Sequence, residues 1–222
     1  MSMKVGQTTR DRLIDASYQL ARRQGFNRTS VSEVMKAAGV TKGSFFFHFP
    51  SKESLGLVVL KRDREEFLTM IDASLAAATP LQGIERFFAK ALKKHRETGF
   101  IGGCLWGNTA LEMCDSNSSF TEIVVGVFKE WTAKMSKAIR AGQACGQIRR
   151  DLPPEVLAQM IVASIEGGIM LSRLAKKAGP LKGCLKMLMT LLQPIAMGRS
   201  PGEQWMPESK QRSIPHRQEK SE

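Results

Sequence analysis

The 222-residue chain is poor in the residue types that most sharply mark a metal centre or a catalytic one. Its histidines are His48, His95 and His216, and its four cysteines are Cys104, Cys114, Cys145 and Cys184, with no Cys-x-x-Cys pair. This spacing excludes the usual structural zinc patterns, so neither a metal nor any other cofactor is expected. In a reducing compartment the thiols are expected to be free and mostly buried as small hydrophobes. There is no Ser/His/Asp set and no glycine loop of the phosphate-cradling kind, which argues against an enzyme. Charges or glycines interrupt every apolar run well short of the roughly 18 residues a membrane span needs, so no membrane partner is expected. The start, Met1 to Gln7, lacks the apolar stretch of a secretory signal. A cytoplasmic protein is the expectation.

Apolar residues make up 42% of the chain and charged residues 24%, and apolar side chains recur from residue 13 to residue 197, which excludes disorder over most of the length. The net charge is +12. Residues 1–62 carry 11 Lys/Arg against 4 Asp/Glu, whereas residues 63–198 carry 17 against 13. A basic end on a nearly balanced body points to a polyanion, nucleic acid before membrane.

Periodicity is helical throughout. Leu13, Ile14, Ser17, Tyr18, Leu20 and Ala21 follow the i, i+3, i+4, i+7 template, bounded by Thr8/Thr9 and Gly25. Ser30-Val31-Ser32-Glu33 is a capping box that opens a short helix ending at Gly39. Thr41 can cap a third helix from Lys42 to about His48, stopped by Pro50. Longer helices are expected from Ser51 to about Ala78, from Pro80, from Leu105 to about Met113, from Phe120 to about Ala144, from about 153 to 178 and from 181 to 197. No strand pattern and no internal repeat survives inspection. The expected fold is all-α, with about nine helices. Residues 1–50 form a helix-turn-helix domain, residues 51–198 a larger helical domain, and residues 199–222, polar and proline-containing, a flexible tail.

The two short helices joined by Gly39-Val40-Thr41 form a helix-turn-helix pattern. Gly39 can take the left-handed conformation that reverses the chain, and Val31, Val34, Val40 and Phe45 can pack the pair on the first helix. The second helix is then free to enter a major groove about 12 Å wide. Phe45 and Phe49 share its core face. Lys42, Ser44, Phe46, Phe47 and His48 lie on or beside its remaining surface. Ser30, Ser32, Thr41 and Lys52 offer hydroxyls, helix-end N–H groups and a charge suited to phosphate. The competing reading of Phe46 and Phe47 is that they extend the core, and of Lys42 that it is a solvated surface lysine.

From Ser30 through Leu55 the chain resembles the TetR family of bacterial transcriptional repressors. Turn, short helix, His48-Phe49-Pro50 and Ser51-Lys52-Glu53 stand in register, and the likeness extends over residues 8 to about 60. The resemblance implies that Thr41, Lys42, Ser44, Phe46, Phe47 and His48 face double-stranded DNA, a pseudo-palindromic operator, and that Lys52 clamps a phosphate. Phe46 departs from the family, which usually has tyrosine there. Without a hydroxyl, Phe46 is left to pack on sugar or a thymine methyl.

The resemblance also implies a small-molecule effector and a homodimer built from the helices at about 153–178 and 181–197. Small residues Ala163, Gly167 and Gly168 on the former, and Leu181, Leu185, Leu188 and Leu192 on the latter, suit a helical seam, although packing within one chain explains them equally. Trp106, Asn108, Met113, Phe128, Trp131, Met135, Glu166 and Met170 fall on helices that would surround the family's pocket, with ordinary core packing as the competing reading. Gly103-Cys104-Leu105-Trp106-Gly107-Asn108 resembles a Gly-Cys-Leu-x-Gly-Asn element of one TetR subgroup, some of whose members sense electrophiles through the cysteine. Cys104 at a helix start could have its thiolate stabilised there, with His95 nearby, or could be a buried structural thiol. A redox-sensing repressor is therefore one alternative, and a helical carrier or enzyme with an incidental helix-turn-helix a more remote one.

Overall fold

The computed structural model describes residues 8–195, and among them nine helices and no strand. The flexible tail expected over 199–222 lies outside the described residues. Helix α1 (Thr9–Gln24) starts where the Thr8 hydroxyl accepts the Asp11 N–H, and it buries Leu13, Ile14, Ser17 and Ala21 along one stripe. In α2 (Val31–Ala38) both halves of the Ser30/Glu33 capping box are formed. Helix α3 (Lys42–His48) has the expected bounds, with the Thr41 hydroxyl accepting the Ser44 N–H. Helices α4 (Lys52–Leu75), α5 (Pro80–Glu97), α6 (Leu105–Met113), α7 (Ser118–Ala144), α8 (Pro154–Ala175) and α9 (Gly179–Leu192) follow.

The boundaries differ from expectation in two instructive places. Helix α8 stops at Ala175, not near 178, because Lys176 turns left-handed at φ 52° and closes the helix through its N–H to Ser172 O. Helix α9 begins two residues early and ends at Leu192 instead of 197. Pro180 belongs to its first turn, where a missing N–H costs nothing. Pro194 forces Gln193 into an extended conformation (φ −60°, ψ 145°) and so ends the helix.

Two apolar clusters form the core. One draws Leu13, Ile14, Val34, Phe45 and Phe49 from the head together with Leu55 and Val59 of α4, Leu105 and Trp106 of α6, and Phe120 and Val124 of α7. The other joins α4, α5 and α7 to α8 and α9 through Ile71, Phe87, Trp131, Ile161 and Leu185. Phe67, Cys104 and Phe128 pack against both. Full burial of each large apolar side chain contributes roughly 1.5–3 kcal/mol, so the head is fastened to the body and not merely tethered.

One expectation is corrected. Helix α8 is long and apolar enough, by length and composition, to cross a membrane. The Glu166-Gly167-Gly168 triplet interrupts its apolar run but barely lowers the average over a whole helix. Its inner face, with Leu157, Ile161 and Ile165, is packed in the body core. Its other face carries exposed Val156, Met160, Met170, Leu171 and Leu174.

Candidate functional site

The head's turn is locked from α1. Gly39 sits at φ 63°, ψ 44°, and Arg12 donates from Nε and Nη2 to Ala38 O (3.0 and 2.7 Å) and from Nη2 to Gly39 O (2.7 Å). With Phe45 fully buried and Phe49 3% exposed, one face of α3 is fixed in the core. The opposite face presents Lys42 and, just before the helix, Thr41, both exposed, with Ser44 and His48 half-buried. Phe47 is 84% exposed and Phe46 46%, so the reading of these two as core is overturned. Seven residues make α3 about 10 Å long, short enough to lie in a major groove.

Ser30 and Ser32 are exposed at the start of α2. The Ser30 hydroxyl donates to Glu33 Oε2 at 2.8 Å while accepting the Glu33 N–H. Lys52 has a structural duty that its sequence context does not reveal. Its ammonium donates to Phe26 O at 3.0 Å and Asn27 O at 3.4 Å, closing the turn between α1 and α2.

A narrow internal cavity lies where the two clusters meet. Its free volume is about 40 Å³. Of the eight expected effector residues, Trp106, Trp131 and Glu166 line it, and so does Cys104. The other five do not. Asn108 ties the loop before α6, donating from Nδ2 to Gly102 O (2.5 Å) and accepting from Arg173 Nη1 (3.1 Å). Phe128 stacks on Trp131 from behind, with ring centroids 6.0 Å apart. Met135 is fully buried in the body core, and Met113 packs on the head cluster. Met170, 54% exposed, faces outward on α8 because it is adjacent to core residue Ile169 and so turned about 100° from it.

Arg22, Asp63, Lys94 and His95 complete the polar part of the lining. No sequence spacing connects them, since α1, α4 and α5 bring them together only in the fold. Among the described residues, the buried side-chain polar atoms without a hydrogen-bond partner in the chain are Arg22 Nη2, His95 Nδ1, Trp106 Nε1, Trp131 Nε1 and Glu166 Oε1. All five belong to residues lining this cavity. Unsatisfied buried polar groups are expensive, so their concentration at one place marks a site built to receive polar atoms.

Of the two readings of Cys104, the electrostatics favour the buried structural thiol over the activated one. Burial of its sulfur, and then the neighbouring Glu166 carboxylate, push the Cys104 thiol well above its ordinary range. The same burial raises Glu166 and Asp63. His95 goes the other way, lowered to about 4 by burial and then by the positive charges of Lys94 and Arg22, so it is neutral at pH 7 and does not activate the thiol. At the start of α6 the site thus favours the protonated Cys104, and the helix end does not compensate.

The chain is similar to known proteins over both the head and the body. Residues 13–58 match the family described as bacterial regulatory proteins, tetR family, and residues 80–188 match the tetracyclin repressor-like C-terminal domain. The HTH-type transcriptional repressor DhaR of Mycobacterium sp. (strain GP1) is 31% identical over 187 residues, which span 83% of this chain and 92% of DhaR. The transcriptional regulator AcuR of Cereibacter sphaeroides is 31% identical over 174 residues, 76% of this chain and 78% of AcuR. Among solved structures, the regulatory protein TetR from Rhodobacter sphaeroides superposes with a TM-score of 0.79 at 28% identity, covering 84% of this chain and all of that one (100%). The reduced form of Escherichia coli NemR, at 23% identity and a TM-score of 0.75, covers 85% of this chain and shares the fold.

Proposed function

Since the chain belongs to the TetR family and is a DNA-binding transcriptional regulator, we propose that it is a homodimeric repressor released from a pseudo-palindromic operator by a small molecule bound in the internal cavity. The observation that carries the DNA-reading part is the exposed face of α3. Phe47, at 84% exposure and touching the His48 ring, has no partner within the chain's core and is costly to leave in water. In this reading Thr41, Lys42, Ser44, Phe46, Phe47 and His48 contact the groove, and Ser30 and Ser32 meet phosphates. Lys52 holds the α1–α2 turn and reaches phosphate with what remains of its donor capacity.

Residues 1–50 serve as the reading head and 51–198 as the effector and dimer body. The exposed apolar side chains of α8, with Met187 on α9, form the surface that a second copy covers. A two-fold dimer then sets its recognition helices about 34–36 Å apart, one turn of DNA. In this reading the chain belongs with the TetR subgroup that carries the Gly103 to Asn108 element, which here is the start of α6 with the two residues before it. In the same reading the protein works in the bacterial cytoplasm, where such an operator would be met. No catalytic step is proposed.

The decisive experiment is selection of genomic fragments bound by the full chain, followed by titration at physiological salt against a scrambled duplex of equal composition. An enriched inverted repeat with a preference on the order of 10³ or more is expected. Fragments recovered without a shared sequence, at equal affinity, would sink the operator reading.

A further inference from the structure

Of the five unpartnered atoms of the cavity, three can only donate, while Glu166 Oε1 and His95 Nδ1 stand apart from them. Indole Nε1 and guanidinium Nη2 can only donate, so Trp106, Trp131 and Arg22 present three N–H donors and require an acceptor-rich guest. Trp106 and Trp131 are each 2% exposed, so bulk solvent does not satisfy them. Arg22 adds charge. Its guanidinium lies over the Tyr18 ring at 5.6 Å, while Nη2 is buried without a partner. The cavity's own anion, Asp63, is set chiefly against Lys94 and takes a hydrogen bond from Tyr18. Burial favours the uncharged form of Glu166, which lowers its repulsion of an anion. Phe67, Phe87 and Ile169 supply an apolar wall. The free space is small, about 40 Å³, which limits the guest to a few heavy atoms.

We propose that this cavity binds a short-chain monocarboxylate, its oxygens received by Arg22 Nη2 and the indole N–H groups of Trp106 and Trp131, and its alkyl part by the apolar wall. Arg22 lies on α1, inside the helix-turn-helix head, so the ligand holds the DNA-reading unit directly and does not act only through the body helices. A guanidinium suits this task because it binds a carboxylate through two parallel N–H bonds. The proposal rests on the reading of the cavity as the effector site, and it names the class of effector and the residue through which the head senses it.

The test uses the full chain with acetate, propionate and butyrate, against the matched amides and alcohols. Binding is followed calorimetrically and by the fluorescence of Trp106 and Trp131, and release of bound DNA is followed separately. The carboxylates should bind at least about tenfold more tightly than their amides, and Arg22→Gln should remove that difference while Arg22→Lys restores part of it. Trp106→Phe and Trp131→Phe, which keep an aromatic ring and lose the N–H with the pyrrole part of the indole, should each weaken carboxylate binding severalfold even if Arg22→Gln proves too unstable to measure. Equal binding of amides and carboxylates overturns the proposal, as does no binding of any carboxylate at roughly 10 mM, or affinity indifferent to Arg22 and both indoles. Arg22-dependent carboxylate binding that leaves the DNA complex intact upholds the ligand class and overturns the effector role instead.

Discussion

Glu112, in the last turn of α6, is bonded twice to Asn27 in the turn between α1 and α2. Its carboxylate Oε2 accepts the Asn27 N–H at 3.3 Å, and its carbonyl accepts from Asn27 Nδ2 at 3.2 Å. The same turn is held from the other side by the Lys52 ammonium. Helix α6 begins at the cavity, with Cys104 and Trp106, and ends at this contact, so one rigid element of nine residues connects the two sites.

Glu112→Ala should therefore loosen the head's turn without unfolding the body. A hydrogen bond to a charged group contributes roughly 1.5–3 kcal/mol, less here because the contact is exposed. Amide exchange at Asn27 should speed up by about tenfold, with the melting temperature nearly unchanged. Unaltered exchange at Asn27 would show that the contact does not restrain the turn.

On the reading face, Lys42→Ala and Phe47→Ala should separate charge from shape. Both side chains are exposed, so stability should change by no more than about 0.5 kcal/mol in either case. Lys42→Ala should weaken binding to all duplexes and reduce the salt slope by about 1, the loss of one phosphate contact. Phe47→Ala should instead cost selectivity between operator and scrambled DNA, roughly 1–3 kcal/mol. Titrations at two salt concentrations distinguish the two, and wild-type behaviour of both variants would remove α3 as the reading helix.

Gly102 tests the join between loop and head. It sits at φ 86°, and a Cβ there would lie 2.2 Å from the Arg22 carbonyl oxygen, a backbone atom that cannot step aside. Gly102→Ala should cost roughly 2–4 kcal/mol from strain and overpacking together. Gly126, inside α7 with nothing within 4 Å of an added Cβ, is the contrast, and Gly126→Ala should stabilise by about 0.5–1 kcal/mol. Thermal melts that move the same way for both would contradict this assignment.

The reading head was almost fully legible in sequence because its determinants are local. The Ser30/Glu33 box, Gly39, Thr41 and Pro50 each act within a few residues, and α3 falls where they predict. The cavity was only half legible. Trp106, Trp131 and Glu166 could be placed by helix and type, but Arg22, Asp63 and His95 reach it through packing between α1, α4 and α5, which no local pattern encodes. Met135 and Met170 show the same limit from the other side. Residues of the expected chemistry on the expected helices point into the core and outward, respectively, because register against neighbours decides the direction.

His95 gives a pH dependence with a defined sign. Its folded value, about 4, is below its ordinary 6.5, so between these limits the unfolded chain binds the additional proton. Stability contributed by neutral His95 is complete above about pH 6.5 and is lost as pH falls toward 4, by at most about 1.4 kcal/mol per pH unit. The raised carboxyls of Asp63 and Glu166 act in the opposite sense, since folding favours their protonated forms, and they offset part of the loss in acid. The melting temperature should therefore fall from pH 7 to pH 5 in the wild type and fall less in His95→Leu. Equal slopes in both would show that another group governs the acid response.

Cys104 should be slow to react with thiol reagents despite standing at a helix start. Only the thiolate attacks, and burial with the Glu166 carboxylate beside it makes the Cys104 thiolate scarce. Cys145, at the end of α7, is exposed, whereas Cys104, Cys114 and Cys184 are half-buried, and the thiol of Cys104 is held up by burial of its sulfur and then by the neighbouring carboxylate. Brief treatment with N-ethylmaleimide at pH 7, followed by peptide mass mapping, should find Cys145 modified first and Cys104 last. Cys104→Ser should accordingly leave DNA binding unchanged under mild electrophile challenge, because the side chain's contribution is to fill the joint between the two apolar clusters. Rapid labelling of Cys104 ahead of Cys145 would restore the sensing thiol that the buried Glu166 pairing argues against.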